Sequence, residues 1–142
     1  LAQAHREGTP FTAVFIDLDK FKEVNDTRGH AAGDALLVRV ASGLSGRLRT
    51  SDIAGRLGGD EFALLLPGMD GASAKVYIED LQHRLLQAMN ERQWPVTFSI
   101  GVASYARAPA DLDALVAEAD GLMYEVKCGS RNRVLQRDFP AA

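Results

Sequence analysis

The sequence predicts one α+β domain built on a mixed central sheet of about five strands flanked by helices. Three observations predict it. Short apolar runs rich in β-formers alternate with stretches of helical periodicity. Two of these runs adjoin across a glycine-containing link, so a hairpin lies in the middle of the chain. The length of 142 residues suits one domain with a real core.

The elements follow in order. Residues 11–16 form an apolar run that reads as a buried strand ending at Asp17. Residues 20–25 read as a short helix, and 26–33 as a loop marked by Gly29 and Gly33. A helix over about 34–49 places Leu36, Leu37, Val40, Leu44 and Leu48 on one face. Residues 52–57 and 62–67 are the arms of the hairpin. A helix from near Ser73 carries Val76, Ile78, Leu81, Leu85 and Met89 as its apolar stripe. Val96, Phe98, Ile100 and Val102 alternate with Thr97, Ser99, Gly101 and Ala103, which predicts a one-sided strand. Asp111 is a candidate N-cap for a last helix that buries Leu112, Leu115, Val116, Ala119, Leu122, Met123 and Val126 and stops at Gly129. Residues 133–136 add an edge strand. The order β-α-α-β-β-α-β-α-β implies helices packed on one side of the sheet, near the ferredoxin-like plan.

The bulk properties narrow the function. A net charge of -3 argues against a surface that wraps nucleic acid. The single cysteine, Cys128, has no internal disulfide partner, which fits a reducing compartment and a cytoplasmic domain. No apolar run approaches the roughly 20 residues of a bilayer span. Residues 1–10 read as the end of an upstream helix or linker, 11–137 as the domain and 138–142 as a tail. The expectation is a piece of a longer protein, with any membrane tether supplied by segments outside this chain.

Chemistry concentrates at two acidic places. Gly58-Gly59-Asp60-Glu61-Phe62 sits at the hairpin tip, where glycine lets another molecule approach closely. Asp17 and Asp19 end the first strand, and period-2 geometry puts both on one face. If the strands are neighbours, the carboxylates converge, a donor set suited to Mg²⁺ and substrate phosphates. Acids that merely end a buried strand explain Asp17 and Asp19 equally well. Lys127 and Arg131 are basic groups at a helix end, suited either to phosphate or to the helix dipole. Asn25 and Asp34 suit turn and cap chemistry. His30 reads as a packed, hydrogen-bonded loop residue, and Phe21 and Phe62 as packing residues.

The run from Phe15 to Asp34 contains Asp17-Leu18-Asp19-Lys20-Phe21-Lys22, then Asn25-Asp26, Gly29-His30 and Gly33-Asp34. Arg56-Leu57-Gly58-Gly59-Asp60-Glu61-Phe62, Ser99-Ile100-Gly101-Val102, Ala119-Asp120-Gly121-Leu122-Met123-Tyr124-Glu125-Val126-Lys127 and Arg131-Asn132 follow in order. Over residues 11–134 this resembles the GGDEF domain, the diguanylate cyclase family. The family's usual L-T-G-L-x-N-R stretch before the first strand is absent.

The resemblance implies a palm-type nucleotide cyclase architecture and condensation of two GTP into cyclic di-GMP with release of two pyrophosphates. Two subunits would face each other, each holding one GTP. Asp17, Asp60 and the Leu18 carbonyl would hold Mg²⁺ or Mn²⁺, two per site. Asp17, Asp60 and Glu61 would be the catalytic acids. Lys22, Lys127 and Arg131 would contact phosphates, with backbone N–H groups around Lys20 to Lys22, and Gly58 and Gly59 would lie against the substrate. Asn25 and Asp34 would read guanine. Arg49 and Asp52 form the R-x-x-D pattern of an inhibitory cyclic di-GMP site. A fused sensor and a fused EAL phosphodiesterase domain are the implied neighbours. A silent GGDEF module that only binds nucleotide is the rival reading. A different palm-type nucleotidyl transferase is a third, disfavoured by Asn25 and Asp34.

Overall fold

The first strand, β1 (Phe11–Asp19), lies in the middle of a five-stranded sheet. The computed structural model describes residues 1–140. A short helix α1 (Ala2–Glu7) precedes β1, and α2 (Phe21–Arg28) and α3 (His30–Ser45) follow it. The hairpin is β2 (Ile53–Arg56) and β3 (Glu61–Pro67). Then come α4 (Gly71–Glu91), β4 (Thr97–Tyr105), α5 (Leu112–Cys128) and β5 (Val134–Phe139). The strand order is β2-β3-β1-β4-β5, with only the β4–β5 pair parallel. The mixed sheet is as the element order predicts. β5 runs past residue 137, so the expected tail from 138 begins inside the last strand, where Phe139 stacks on Tyr105 with ring centroids 5.7 Å apart. Residues 141–142 of that tail lie outside the described residues.

Helices cover both faces of the sheet, not one. Val14, Ile16 and Leu18 of β1 join Phe62, Leu64, Phe98 and Ile100 under α2, α3 and α4. Phe11, Ala13 and Phe15 join Ala103, Tyr105 and the α5 residues Leu115, Ala119 and Leu122 on the other face, where α1 also packs. All nine residues of β1 are therefore buried. β4 is buried on both faces too, which corrects the one-sided reading of its alternation. Its small residues are a packing requirement and not a solvent face. A Cβ on Gly101 would lie 2.3 Å from the Met123 backbone nitrogen and 2.6 Å from the Ala119 carbonyl oxygen, so α5 rests directly on that strand.

Other expectations change. Residues 26–33 are not a loop: α2 runs to Arg28, Gly29 turns the chain at φ 89°, and α3 starts at His30. Gly33 looked like a turn marker but lies inside α3, where a Cβ would sit 1.7 Å from Asn25 Oδ1. His30 is exposed and not packed. α3 ends at Ser45, well before Arg49. Val76, Leu112 and Val116 are exposed: Val76 lies on the face away from Ile78, Leu81 and Leu85, Val116 lies at the edge of the α5 stripe, and Leu112 is on that stripe but is the first residue of the helix. The Asp111 cap holds, its side chain accepting from the Asp113 N–H at 2.9 Å. Asp70 caps α4 the same way through Ser73.

Gly101→Ala is expected to destabilise the domain by about 2 kcal/mol, since the added methyl meets α5 backbone that can retreat only by moving the helix. A urea melt reads this as a lower midpoint at unchanged slope; an unchanged midpoint would show that α5 is not seated on β4.

Candidate active site

The hairpin tip is fastened to the end of β1. Asp17 stands opposite Glu61 in the β1–β3 register, and the Leu18 N–H donates to the Asp60 carbonyl at 3.0 Å. Cross-strand partners share a face, so Asp17, Glu61 and, from β4, Ser99 all project toward the α5 side. The tip is braced from within. Arg56 Nε donates to the Gly58 carbonyl at 2.9 Å and Nη2 to that of Gly59 at 3.0 Å. A Cβ at Gly58 or Gly59 would meet nothing within 4 Å, and neither residue has positive φ. The fold does not itself demand glycine there. The two residues keep open the space beside Asp60 and Glu61.

The two β1 acids differ sharply. Asp19 is buried and accepts from Thr97 Oγ1 at 2.8 Å, Ser99 Oγ at 2.8 and 2.9 Å, Lys127 Nζ at 3.1 Å and the Asn132 N–H at 3.2 Å. Burial pushes its pKa up, but the hydrogen bonds from Thr97, Ser99 and Lys127 outweigh burial and hold the carboxyl below its usual range. Asp17 has one ion pair, Lys127 Nζ to Oδ2 at 3.4 Å, while its buried Oδ1 has no partner. Burial raises the Asp17 pKa most, Lys127 pulls it down, Asp60 and Glu61 push it up, and the balance is about 6. A buried carboxylate oxygen without a donor is rare unless something else is meant to meet it.

That orphan oxygen is the test of whether a divalent cation fits. Among the described residues no three His, Cys, Asp or Glu side chains gather into a cage. Mg²⁺ needs no such cage, since it binds through one or two carboxylates and completes its shell with waters and substrate phosphates. Asp17, Asp60 and the Leu18 carbonyl, brought to one strand end, could hold such an ion.

The expected nucleotide contacts surround the same edge. Lys20 caps α2 at φ 66° without a side-chain cap bond, so the first N–H groups of α2 are not capped from within. Lys22 is exposed on that first turn. Asn25 Oδ1 overlies Gly33, next to Asp34, so both candidate guanine readers share the α2–α3 corner. Lys127 is in the last turn of α5, and Arg131 and Asn132 follow it in left-handed backbone at φ 55° and 47°. Arg131 Nε donates to the Lys127 carbonyl at 3.2 Å. Phe21 and Phe62 are core residues, as expected.

Arg49 and Asp52 lie elsewhere. Arg49 pairs with Asp52 at 2.7 Å and donates to the Pro67 carbonyl at 2.8 Å. Pro67 is the far end of β3 from Glu61, about 20 Å away at strand rise. Sequence reasoning grouped Asp17 with Asp19 and gave no role to Ser99, Thr97 or the Asn132 amide. Ser99 and Asn132 lie in the Ser99-Ile100-Gly101-Val102 and Arg131-Asn132 motifs, and that is the one signal the sequence carries for them. The bond each makes depends on the β1–β4 register, which no local pattern reveals.

The family model for "Diguanylate cyclase, GGDEF domain" matches residues 1–133, and the chain belongs to that family. Diguanylate cyclase DosC of Escherichia coli (strain K12) is 38% identical over 138 residues, covering 94% of this chain and 30% of DosC. The bifunctional diguanylate cyclase/cyclic di-GMP phosphodiesterase MucR of Pseudomonas aeruginosa is 38% identical over 134 residues, covering 93% of this chain and 20% of MucR. The chain thus spans less than a third of the length of either curated relative. Among solved structures, the GGDEF domain of DgcB from Caulobacter crescentus in complex with c-di-GMP superposes with TM-score 0.82 at 30% identity, over 95% of this chain and 82% of that one. The active GGEEF domain of a diguanylate cyclase from Vibrio cholerae gives TM-score 0.80 at 28% identity, over 95% of this chain and 87% of that one.

The raised Asp17 pKa has a stability consequence in metal-free protein. The folded state holds this proton more tightly than the unfolded chain, so the contribution is full below pH 3.8 and is lost as pH rises through about 6. Asp17→Asn is therefore expected to stabilise the domain in EDTA, by on the order of 2 kcal/mol at pH 7.5 and less at pH 5. Thermal melts at the two pH values check it; an equal gain at both would show that Asp17 is not held protonated by its surroundings.

Proposed function

We propose that this domain is a diguanylate cyclase that condenses two GTP into cyclic di-GMP and two pyrophosphates. The observation that carries the reading is the unpartnered Asp17 Oδ1, set beside a signature tip whose glycines keep space open that the fold does not require. In each step the 3′-oxygen of one GTP bonds to the α-phosphorus of the other. The bond from that phosphorus to the β-phosphate bridge breaks, and the hydroxyl proton is lost. Asp17, Asp60 and the Leu18 carbonyl would hold Mg²⁺ or Mn²⁺, two ions per site. Bound there, such ions supply charge neutralisation at phosphorus and activation of the attacking oxygen.

The chain's own groups supply binding and orientation. Lys22, Lys127, Arg131 and the first N–H groups of α2 meet the negative triphosphate. Asn25 and Asp34 complement the guanine edge, whose N1–H and N2–H₂ donate and whose O6 accepts. Glu61 is the second signature acid at the reaction centre. One site holds one GTP, so turnover needs two domains face to face. Arg49 and Asp52 form a product site. In the longer protein we infer a fused sensor, an EAL-type phosphodiesterase neighbour being the other arrangement, and a cytoplasmic place for the domain. No helix among the described residues is long and apolar enough to cross a membrane. The reading as a silent nucleotide-binding module would expect loss of Asp17, Asp60 or Glu61, and all three acids are present.

Concentrated protein incubated with GTP and Mg²⁺ is expected to yield cyclic di-GMP by chromatography, at a rate per subunit that falls on dilution. Asp60→Ala is expected to lower that rate at least a hundredfold; turnover at the unaltered rate would remove Asp60 from the site. Arg49→Ala is expected to relieve inhibition by added cyclic di-GMP without lowering the initial rate. Inhibition that persists at the same product concentration would count against the Arg49–Asp52 site.

A further inference from the structure

We propose that Asp19 is a positioning residue for the phosphate-binding side of the site and not a metal ligand. It fixes the Lys127 ammonium and the Asn132 amide, and through them the loop that carries Arg131. The inference rests on the GTP-binding reading above and concerns a signature residue to which that reading gives no role.

The first argument is saturation. A carboxylate offers about four acceptor positions. Asp19 receives donors from four residues: Thr97, Ser99, Lys127 and Asn132. It is 1% exposed. No lone pair remains for a cation, whereas Asp17, two residues earlier on the same face, keeps one oxygen bare.

The second argument is what the donors are. Lys127 is the last lysine of α5, and its ammonium lies between the two acids, 3.1 Å from Asp19 and 3.4 Å from Asp17. Charge-assisted bonds of this kind hold a flexible lysine in one place. The Asn132 N–H reaches both Asp19 Oδ2 at 3.2 Å and Ser99 Oγ at 3.3 Å. It does so from the second of two consecutive left-handed residues, a backbone that Asn132 tolerates and Arg131 resists. The Arg131 N–H is tied to the Val126 carbonyl at 2.9 Å on the other side. Arg131 thus stands on a strained turn pinned at both ends, and one pin is Asp19. Thr97 and Ser99, from β4, orient the carboxylate for both tasks.

Binding measurements on the intact chain separate the roles. GTP in EDTA, GTP with Mg²⁺, and guanosine are each titrated against wild-type protein and Asp19→Asn. The expected result is about tenfold weaker GTP binding by the variant with and without Mg²⁺, and unchanged guanosine binding. In a cycle with Lys127→Met the two losses are expected not to add. A loss seen only with Mg²⁺ would make Asp19 a metal ligand and overturn the proposal. An equal loss for guanosine, or none for GTP, would overturn it too. Ser99→Ala, which removes the hydroxyl that bonds Asp19 and accepts from the Asn132 N–H and leaves the charge, is expected to show the same phosphate-specific loss at about threefold, and it decides the matter if Asp19→Asn does not fold. Wild-type protein that binds neither guanosine nor GTP would overturn the nucleotide reading, and this inference with it.

Discussion

Everything at this site depends on the burial of β1. The strand is hydrogen-bonded on both edges, to β3 and β4, and covered on both faces by helices. A chain that runs through the centre of a core and then carries two carboxylates must satisfy or expose them at its end. The protein does one of each. Asp19 is satisfied by four neighbours from β4, α5 and the loop beyond. Asp17 is left with one unsatisfied oxygen, and the cost shows as a pKa of about 6. The imbalance is tolerable only because Lys127 partly neutralises both acids.

Much of this was legible in the sequence, and the limits are instructive. Hydrophobic period or run revealed β1, α3, α4, β4 and α5, because each buries a clear stripe or run, whereas α1, β2 and β5 bury no residue fully. The hairpin and its acidic tip were readable because glycine and carboxylates at a strand junction have few other uses. What was not readable were facts set by packing between distant segments. Gly33 and Gly101 are glycines because a helix or a side chain lies against them, yet one resembled a loop and the other a solvent face. The pairing of Asp17 with Asp19 followed correctly from period 2, but their opposite fates depend on β4 and α5. Ser99, Asn132 and Lys127 are 80 to 113 residues away along the chain. No local window contains that information.

Strain is distributed in the same pattern. Among the described residues, four other than glycine have positive φ: Lys20, Gln93, Arg131 and Asn132. Lys20 directly follows β1, Gln93 precedes β4, and the last two precede β5. All four lie at the sheet end that holds Asp17 and Asp60, and Arg28 of α2 ties into the Gln93 carbonyl at 2.7 Å. Left-handed backbone costs ~1–2 kcal/mol per ordinary residue, so such turns persist where surrounding bonds over-determine them. Here those bonds present N–H groups and basic side chains in a fixed arrangement around the acids. Under the proposed function, that arrangement would be in place before a polyanionic substrate arrives.

The opposite end of β3 has a different character. Arg49 is occupied by its own chain, with Asp52 and the Pro67 carbonyl taking its donors. Asp52 is nearly sealed beneath it, at 1% side-chain exposure against 48% for the arginine. A ligand that takes up the exposed guanidinium must either add to this pairing or displace part of it. Displacement would leave a buried carboxylate without its counter-ion, which is costly. A ligand is therefore favoured when it brings its own donors to Asp52 as it takes Arg49 with an acceptor. A guanine edge beside a phosphate is a pattern of that kind, since it carries N–H donors and oxygen acceptors together. Under the proposed function, the same complementarity would apply at both ends of β3. Asn25 and Asp34 would meet one guanine edge, while Arg49 and Asp52, which satisfy each other here, would open to another.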